Sequence, residues 1–479
     1  MLKAVTSNRM RTVRRIHFIG IGGVGMSGIA HVLRREGYEV SGSDLHASAM
    51  TKALADLGIT LFIGHDAANV AGANVVVYSS AVDDANPEVQ AAKAAGLPLI
   101  PRAQMLAELM RFRYGIAIAG THGKTTTTSL ITSVFAAADL DPTYVIGGKL
   151  NSAQSNAQLG AGEYLIAEAD ESDASFLYLH PMLVVVTNID ADHMKTYHGD
   201  FKELEDAFIN FIHTIPFYGC AVLCIDDPVI ARLLPRIHRP VVTYGFDEKA
   251  DLRIQHYRVD GFSGHFECIV GGQSYAIRLN MPGRHNALNA LATIAIAQHE
   301  GIDMAIIQDA LSKFGGVGRR FQRYPVTLKN GKTVTLVDDY GHHPTELRAT
   351  IATTRETWPD HRLVMVFQPH RYTRTHDLFD DFVTVLCTCD QVLLLDVYSA
   401  GEPAIPGADS HDLMRAIRAK GSLEPIYIHS IAEVQSVLET VCQDNDIVMM
   451  QGAGNIGALV QQCVQDLGES HDDAKTSSL

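Results

Sequence analysis

The stretch Gly115-Ile-Ala-Ile-Ala-Gly-Thr-His-Gly-Lys-Thr-Thr-Thr-Thr128 runs from a short apolar segment through a glycine turn into a lysine and four threonines. Each residue type suits the holding of a nucleoside triphosphate. Glycines let backbone N–H groups curl around phosphate oxygens, and a helix that starts there points its positive end at them. Lys124 can reach the β/γ-phosphates and the Thr125 hydroxyl can ligate Mg2+. The usual spacing asks for glycine at 118, where Ile118 stands, so the loop is a shortened Gly-Thr-His-Gly-Lys-Thr form. Gly120, Thr121, His122, Gly123, Lys124, Thr125 and Thr126 are the expected phosphate cradle.

Two acidic clusters follow, Glu168-Ala-Asp-Glu-Ser-Asp173 and Asn188-Ile-Asp-Ala-Asp-His193. Carboxylates at the C-terminal ends of parallel strands beside a phosphate loop are where Mg2+ ligands belong. Alone, each cluster would read as a solvated loop. Nearer the N-terminus, Gly20-x-Gly22-x-x-Gly25 lies between a strand-like and a helix-like stretch, with Asp44 closing the next strand. That pattern fits a dinucleotide with Asp44 on a ribose hydroxyl, a sugar nucleotide such as a UDP-sugar, or a purely structural turn. His285-Asn-Ala-Leu-Asn289 starts a helix and could hold adenine, or be only an asparagine-rich helix start. Histidines and arginines gather in Asp338-Asp-Tyr-Gly-His-His-Pro344 and Gln368-Pro-His-Arg-Tyr-Thr-Arg374. They suit a small carboxylate, or an interdomain salt-bridge cluster.

Positioning these groups requires alternating strands and helices. Strand-like stretches at His17–Ile21, Tyr38–Ser43 and Val75–Ser79 alternate with helical ones at Met26–Glu36, Ala49–Gly58 and Pro87–Ala95, the rhythm of a doubly wound parallel sheet. Pro101–Arg113 reads as a linker helix. A second α/β region has strands at Tyr164–Ala169, Leu183–Asn188 and Ala221–Ile225, an alternating antiparallel patch at Asp251–Asn280, and a helix at Asn286–Gln298. A third has strands at Thr333–Asp338, Arg362–Phe367, Gln391–Val397 and Asp446–Met450. The polar end of the chain is expected to fray.

The chain has 479 residues, 47% of them hydrophobic and 19% charged, which suits about three soluble domains. A formal charge of −15 argues against a nucleic-acid or anionic-membrane partner. No apolar run approaches bilayer length, and Ile16–Ile21 is too short for a secretory signal. Seven cysteines without a CxxC pair are expected to be reduced core residues in a cytoplasmic protein.

Taken in order, Gly20–Gly25, GTHGKTTTT, EADESD, NIDADHM, GRHNALNA, GVGRRFQ, DDYGHHPTE, FQPHRYTRT and DVYSAGE resemble the ATP-dependent muramyl (Mur) ligases of peptidoglycan synthesis over nearly the whole chain. The resemblance implies three α/β domains. They are a Rossmann-like UDP-sugar domain at 1–110, a P-loop-type ATPase domain with the antiparallel patch at 111–324, and a Rossmann-like amino-acid domain at 325–479. It implies Gly22 and Gly25 on a pyrophosphate, with Asp44, His65, Ser79 and Ser80 as UDP contacts. Lys124 would touch the transferred phosphoryl group, Thr125 and Glu168 would hold one Mg2+, and His193 would help bind a second. His285 and Asn289 would hold adenine, and Arg320 and Asp339 would reach ATP on domain closure. Tyr340, His342, His370, Arg371 and Arg374 would form an L-alanine pocket.

The implied activity joins L-alanine to the lactyl carboxylate of UDP-N-acetylmuramate through an acyl phosphate. It serves cell-wall biogenesis, and with it cell shape and division, in a monomer or homodimer. Family members adding later residues resemble one another in a carbamylated lysine about fifteen residues beyond the metal-binding histidine. Phe208 stands there, which favours the alanine-adding branch. Rival readings are a recycling ligase that attaches a tripeptide to the same UDP-sugar, a nicotinamide oxidoreductase, and a non-catalytic nucleotide-binding regulator.

Overall fold

The computed structural model describes residues 9–79, 81–152, 155–421 and 423–468. They fall in two compact units. The first runs through Arg258 and adds His265–Asn280 and Asn286–Gly315. The second combines Val259–Gly264, Met281–His285 and the chain from Gly316 onward.

Three sheets carry the architecture. The first is wholly parallel, in the order Thr60–Ile63, Glu39–Asp44, Arg15–Ile19, Val75–Tyr78, Leu99–Pro101. Its winding reverses between Arg15–Ile19 and Val75–Tyr78, so a crevice opens where Gly20 and Ser79 leave the sheet. The central sheet has ten strands. Its parallel middle places Tyr114–Ala119 between Leu183–Val186 and Tyr164–Glu168. The strands Leu252–Asp260, Ser263–Val270 and Gln273–Leu279 continue this same sheet at one edge, so the antiparallel patch is an extension of the central sheet. At the other edge lie Thr143–Leu150 and Ser155–Gln158, which pair antiparallel.

The inner strands Leu183–Val186, Cys220–Cys224 and Tyr114–Ala119 are nearly continuous apolar runs because both sheet faces are covered. All seven cysteines are unpaired and six are buried. No helix among the described residues is long and apolar enough to cross a membrane.

The helix Lys124–Ala137 opens with a threonine run of poor helix propensity, and Thr127, Thr128 and Ser129 are wholly buried. The Thr128, Ser129 and Thr132 hydroxyls are accommodated by bonding back one turn: Thr128 Oγ1 donates to Lys124 O at 2.9 Å, Ser129 Oγ to Thr125 O at 2.7 Å and Thr132 Oγ1 to Thr128 O at 2.7 Å, whereas Thr127 Oγ1 is buried with no hydrogen-bond partner. Packing, with these back-bonds, overrides propensity here.

The third sheet, in the second unit, runs Gln322–Thr327, Thr333–Asp339, Ile447–Gln451, Leu363–Phe367, Gln391–Leu394, Ile426–Tyr427, with only the first pair antiparallel. Alternation along Leu363–Phe367 sends Val364 and Val366 into one apolar cluster and Leu363, Met365 and Phe367 into another, one per face. Phe262, Phe321 and Trp358 stack at its margin, with ring centroids 5.9–6.3 Å apart.

Candidate functional site

The loop expected to cradle phosphate is built at the end of Tyr114–Ala119. Ile118 stays inside that strand, paired with Glu168 on one side and Val185 on the other. The turn therefore begins at Gly120, two residues later than the usual spacing would place it. Gly120 has φ +122°, and a Cβ there would lie 2.1 Å from Thr187 Oγ1; Gly123 has φ +85°, and a Cβ there would lie 2.7 Å from Asn289 Oδ1. Both positions require glycine.

The end of the neighbouring strand Leu183–Val186 grips the loop. The His122 N–H donates to Asn188 Oδ1 at 2.8 Å, and Asn188 Nδ2 donates to His122 O at 3.0 Å. Thr187 Oγ1 donates to the same carbonyl at 2.6 Å. Thr121 N donates to Asn188 O at 3.1 Å, and Asp190 N donates to Thr121 Oγ1 at 2.9 Å. His122 Nε2 and Asp190 Oδ2 are 3.2 Å apart.

Lys124 is the first residue of the following helix. Its Nζ donates to Glu171 Oε2 at 2.7 Å and Oε1 at 2.9 Å, and to Gly120 O at 2.6 Å. Burial disfavours its charge, but Glu171, Asp170 and Glu168 outweigh that and hold its pKa above the usual lysine value. Burial pushes Glu171 up to about 7, with Lys124 restraining the rise and Asp170 adding to it. Burial opposes the Asp170 carboxylate, yet Lys124 and Arg102 keep its pKa below the ordinary range. Sequence reasoning singled out Glu168 from this cluster and missed Glu171, the carboxylate that holds the lysine. Glu168 ends its strand with Oε1 accepting from Gly147 N at 2.6 Å. His193 has φ +55°, and its Nε2 lies 3.4 Å from Asp192 Oδ2. Thr125 and Thr126 are buried. A hydroxyl and a carboxylate are hard oxygen donors that fit Mg2+; the His193 imidazole fits it less well.

The Gly20–Gly25 turn belongs to the same unit. Gly20 N and Ile21 N donate to Ser43 O at 2.9 and 3.0 Å, and Gly22 N donates to Asp44 Oδ2 at 2.8 Å. Gly25 lies in the first turn of helix Val24–Arg35, against Arg102. Arg102 Nη2 in turn donates to Asp170 Oδ2 at 3.0 Å. Asn156 Nδ2 donates to Val24 O at 2.9 Å, docking the central sheet's edge on that helix. Ser79 packs directly against Gly20, where an added Cβ would lie 3.3 Å from Ser79 Cβ. His65 is tied to a buried carboxylate: its Nδ1 is 3.0 Å from Ser43 Oγ and 3.3 Å from Glu88 Oε2. Burial opposes the Glu88 carboxylate, but hydrogen bonds from His17, Ser43 and Asn69 bring its pKa down to about 2. Ser80 lies outside the described residues.

His285 is the second residue of helix Arg284–His299, and Asn289 follows one turn later, buried, with Nδ2 donating to Asn286 Oδ1 at 3.4 Å. Burial pushes His285 down to about 4, with Arg320 helping and Glu346 opposing, so the imidazole is neutral.

In the second unit Tyr340, His342, His370 and Arg374 lie close together, and Arg371 does not join them. The rings of Tyr340 and His342, of His342 and His370, and of His370 and Tyr398 each lie 5.5 Å apart. The Arg319 and Arg320 guanidiniums sit 5.1 and 5.2 Å from the Tyr340 ring centre. Arg374 is buried, with Nη1 3.4 Å from His370 Nδ1 and donating to His370 O at 3.3 Å. Burial drives His342 down to about 3 against the pull of Glu346, with Arg374 and His370 adding to the fall. Positive charge there thus rests on arginine beside a neutral imidazole, an arrangement that suits a carboxylate. Arg371, at φ +72°, turns outward and lies 3.5 Å from Glu402 Oε1. Asp339 accepts from Phe321 N at 2.9 Å, Gly341 N at 2.8 Å and Gln451 Nε2 at 2.9 Å, and burial raises its pKa. Tyr398 and Glu346 went unnoticed in the sequence, although DVYSAGE and DDYGHHPTE contain them.

Three family models match in chain order: the Mur ligase family catalytic domain at residues 15–114, the Mur ligase middle domain at 118–297 and the Mur ligase glutamate ligase domain at 319–454. The chain is 28% identical to the UDP-N-acetylmuramate–alanine ligase MurC from Thermotoga maritima, with a TM-score of 0.80 over 95% of this chain and 99% of that one. It is 30% identical to the UDP-N-acetylmuramate:L-alanyl-γ-D-glutamyl-meso-diaminopimelate ligase from Neisseria meningitides, with a TM-score of 0.60 over 64% of this chain and 100% of that one. The MurF ligase from Thermotoga maritima, solved in complex with ADP, shares the fold at 15% identity, with a TM-score of 0.62 over 90% of this chain and 96% of that one. With its three sheets and three matched domains, the chain belongs to the Mur ligase family of ATP-dependent peptidoglycan-precursor ligases.

Proposed function

We propose that this enzyme joins L-alanine to the lactyl carboxylate of UDP-N-acetylmuramate, with ATP converted to ADP and phosphate. The observation that carries the reading is the braced Gly120–Lys124 loop, flanked by two carboxylate-bearing strand ends, in a chain 28% identical to an alanine-adding ligase over 95% of its length. Phe208 supports the alanine branch: at the spacing from His193 where later-acting members are expected to carry a modified lysine, this chain has a fully buried phenylalanine 5.3 Å from the Phe176 ring.

In this reading residues 1–110 bind the UDP-sugar through Gly22, Gly25 and Asp44, with His65 and Ser79 beside them. Residues 111–324 bind ATP, and residues 325–479 bind the amino acid. The lactyl carboxylate oxygen attacks the γ-phosphorus, ADP leaves, and an acyl phosphate forms. The alanine amine then attacks the acyl carbon and loses a proton, and phosphate departs as the amide forms. Lys124 supplies positive charge to the phosphoryl oxygens as the bond to ADP breaks. Thr125 and Glu168, with His193, would hold Mg2+, which neutralises phosphate charge when bound. Arg374 fixes the alanine carboxylate beside His342, His370 and Tyr340, so the amine is delivered in one orientation. His285 and Asn289 serve adenine, and Arg320 and Asp339 complete the ATP contacts. A cytoplasmic setting matches these substrates.

The test is phosphate release from MgATP and UDP-N-acetylmuramate with no amine, with L-alanine, and with the L-Ala-γ-D-Glu-meso-diaminopimelate tripeptide. Stimulation by L-alanine with the matching product mass supports the proposal. Stimulation by the tripeptide alone moves the enzyme to recycling, the reading favoured by 30% identity to the Neisseria ligase. Release with neither refutes both.

A further inference from the structure

An ammonium group has three N–H bonds to give. Around Lys124 Nζ the protein already sets four acceptors: Gly120 O at 2.6 Å, Glu171 Oε2 at 2.7 Å, Glu171 Oε1 at 2.9 Å and Thr121 O at 3.3 Å. No donor is left unspent. Glu171 is itself fixed, with a side chain 4% exposed and a backbone carbonyl that accepts the buried Tyr197 hydroxyl at 2.5 Å. A phosphate entering the loop must therefore compete with a rigid, bidentate, charge-assisted contact.

We propose that Glu171 is a positioning residue that latches Lys124 when no nucleotide is bound, and that an incoming phosphate takes the carboxylate's place on the lysine. The proposal rests on the reading of Gly120–Thr126 as the triphosphate site. The latch sets a threshold. An anion gains the lysine only if its other contacts offset the loss of Glu171, which favours a whole nucleotide over free phosphate. The latch also re-forms as product leaves, which speeds ADP release.

The sign of the effect separates this role from a structural one, because damage to the fold weakens binding whereas removal of a competitor tightens it. ADP is titrated calorimetrically into the full-length enzyme, its Glu171→Gln and Glu171→Ala variants, Lys124→Met, and Lys124→Met combined with Glu171→Gln. We expect both Glu171 variants to bind ADP about tenfold more tightly, the factor that ~1.4 kcal/mol of released competition makes. In the Lys124→Met background Glu171→Gln should add no further tightening. Unchanged or weaker binding by folded Glu171 variants would overturn the latch, as would equal tightening without Lys124, which would assign the effect to general charge. Absence of ADP binding by the unmodified enzyme would instead remove the triphosphate site on which the latch depends.

Discussion

Asn188→Ala tests whether the phosphate loop is held by side chains outside it. Asn188 clamps the His122 peptide from both sides, accepting its N–H at 2.8 Å and donating to its carbonyl at 3.0 Å. Two neutral hydrogen bonds are worth about 1 kcal/mol each, and a stranded donor adds roughly 1 kcal/mol where water reaches it poorly. The His122 carbonyl keeps Thr187 Oγ1, so only the N–H is at risk of being stranded. The expected loss is therefore about 2–3 kcal/mol in urea unfolding. The same energy held the loop in its observed shape, so, if that is the shape the proposed nucleotide meets, much of it must be supplied again on binding. If half or more is, the ATP KM rises about fivefold or further, at roughly 1.4 kcal/mol per factor of ten. The UDP-sugar KM should stay within twofold, because the Gly20–Gly25 turn is held by Ser43 and Asp44 instead. Asn188→Asp is the sharper control. It keeps an acceptor for the N–H but turns a second oxygen toward the His122 carbonyl, so it should be no better than alanine at pH 8. An Asn188→Ala enzyme within 0.5 kcal/mol of the parent and with an unaltered ATP KM would refute the bracing argument.

Lys124→Ala should abolish phosphate release while UDP-sugar binding, read by calorimetry, persists; loss of both would contradict the division of labour between residues 1–110 and 111–324. Arg374→Ala should raise the alanine KM far more than the ATP KM in steady-state assays, and equal changes would remove it from the amino-acid pocket. Because His342 is pushed down to about 3 and His285 to about 4, the unfolded chain takes up their protons near pH 6.5 while the native state does not. Stability is therefore full above pH 6.5 and falls as the pH drops toward 4, by about 1–2 kcal/mol per histidine at pH 5. His342→Gln should flatten that slope in urea titrations at pH 7.5, 6 and 5, and slopes identical to the parent would count against the neutral, partly buried imidazole.

The motifs carried by local chemistry were legible. A glycine turn entering a helix at Lys124, acidic residues closing strands, and His/Arg-rich strand ends all announce themselves because each needs particular residue types at short spacing. The parallel α/β rhythm was legible as well, since strands covered on both faces read as unbroken apolar runs. Edge elements were not. Thr143–Leu150 and Ser155–Gln158 contain Gly147, Gly148, Lys149 and Asn156, a poor strand pattern, and the extended pairing there comes from neighbours rather than from propensity. Within Glu168-Ala-Asp-Glu-Ser-Asp173 the sequence offers four carboxylates of equal chemistry, and nothing local says which meets Lys124.

The sequence by itself determined where phosphate chemistry could occur, because the backbone freedom of Gly120 and Gly123 and the reach of Lys124 are properties of a few consecutive residues. Only the tertiary structure decided how that loop is held and what its lysine touches. Glu171 lies 47 residues from Lys124 and Asn188 lies 66 residues from His122. They meet because parallel pairing sets the ends of three strands side by side. Register between strands fixes which carboxylate or amide arrives there, and that is a long-range property no local spacing encodes.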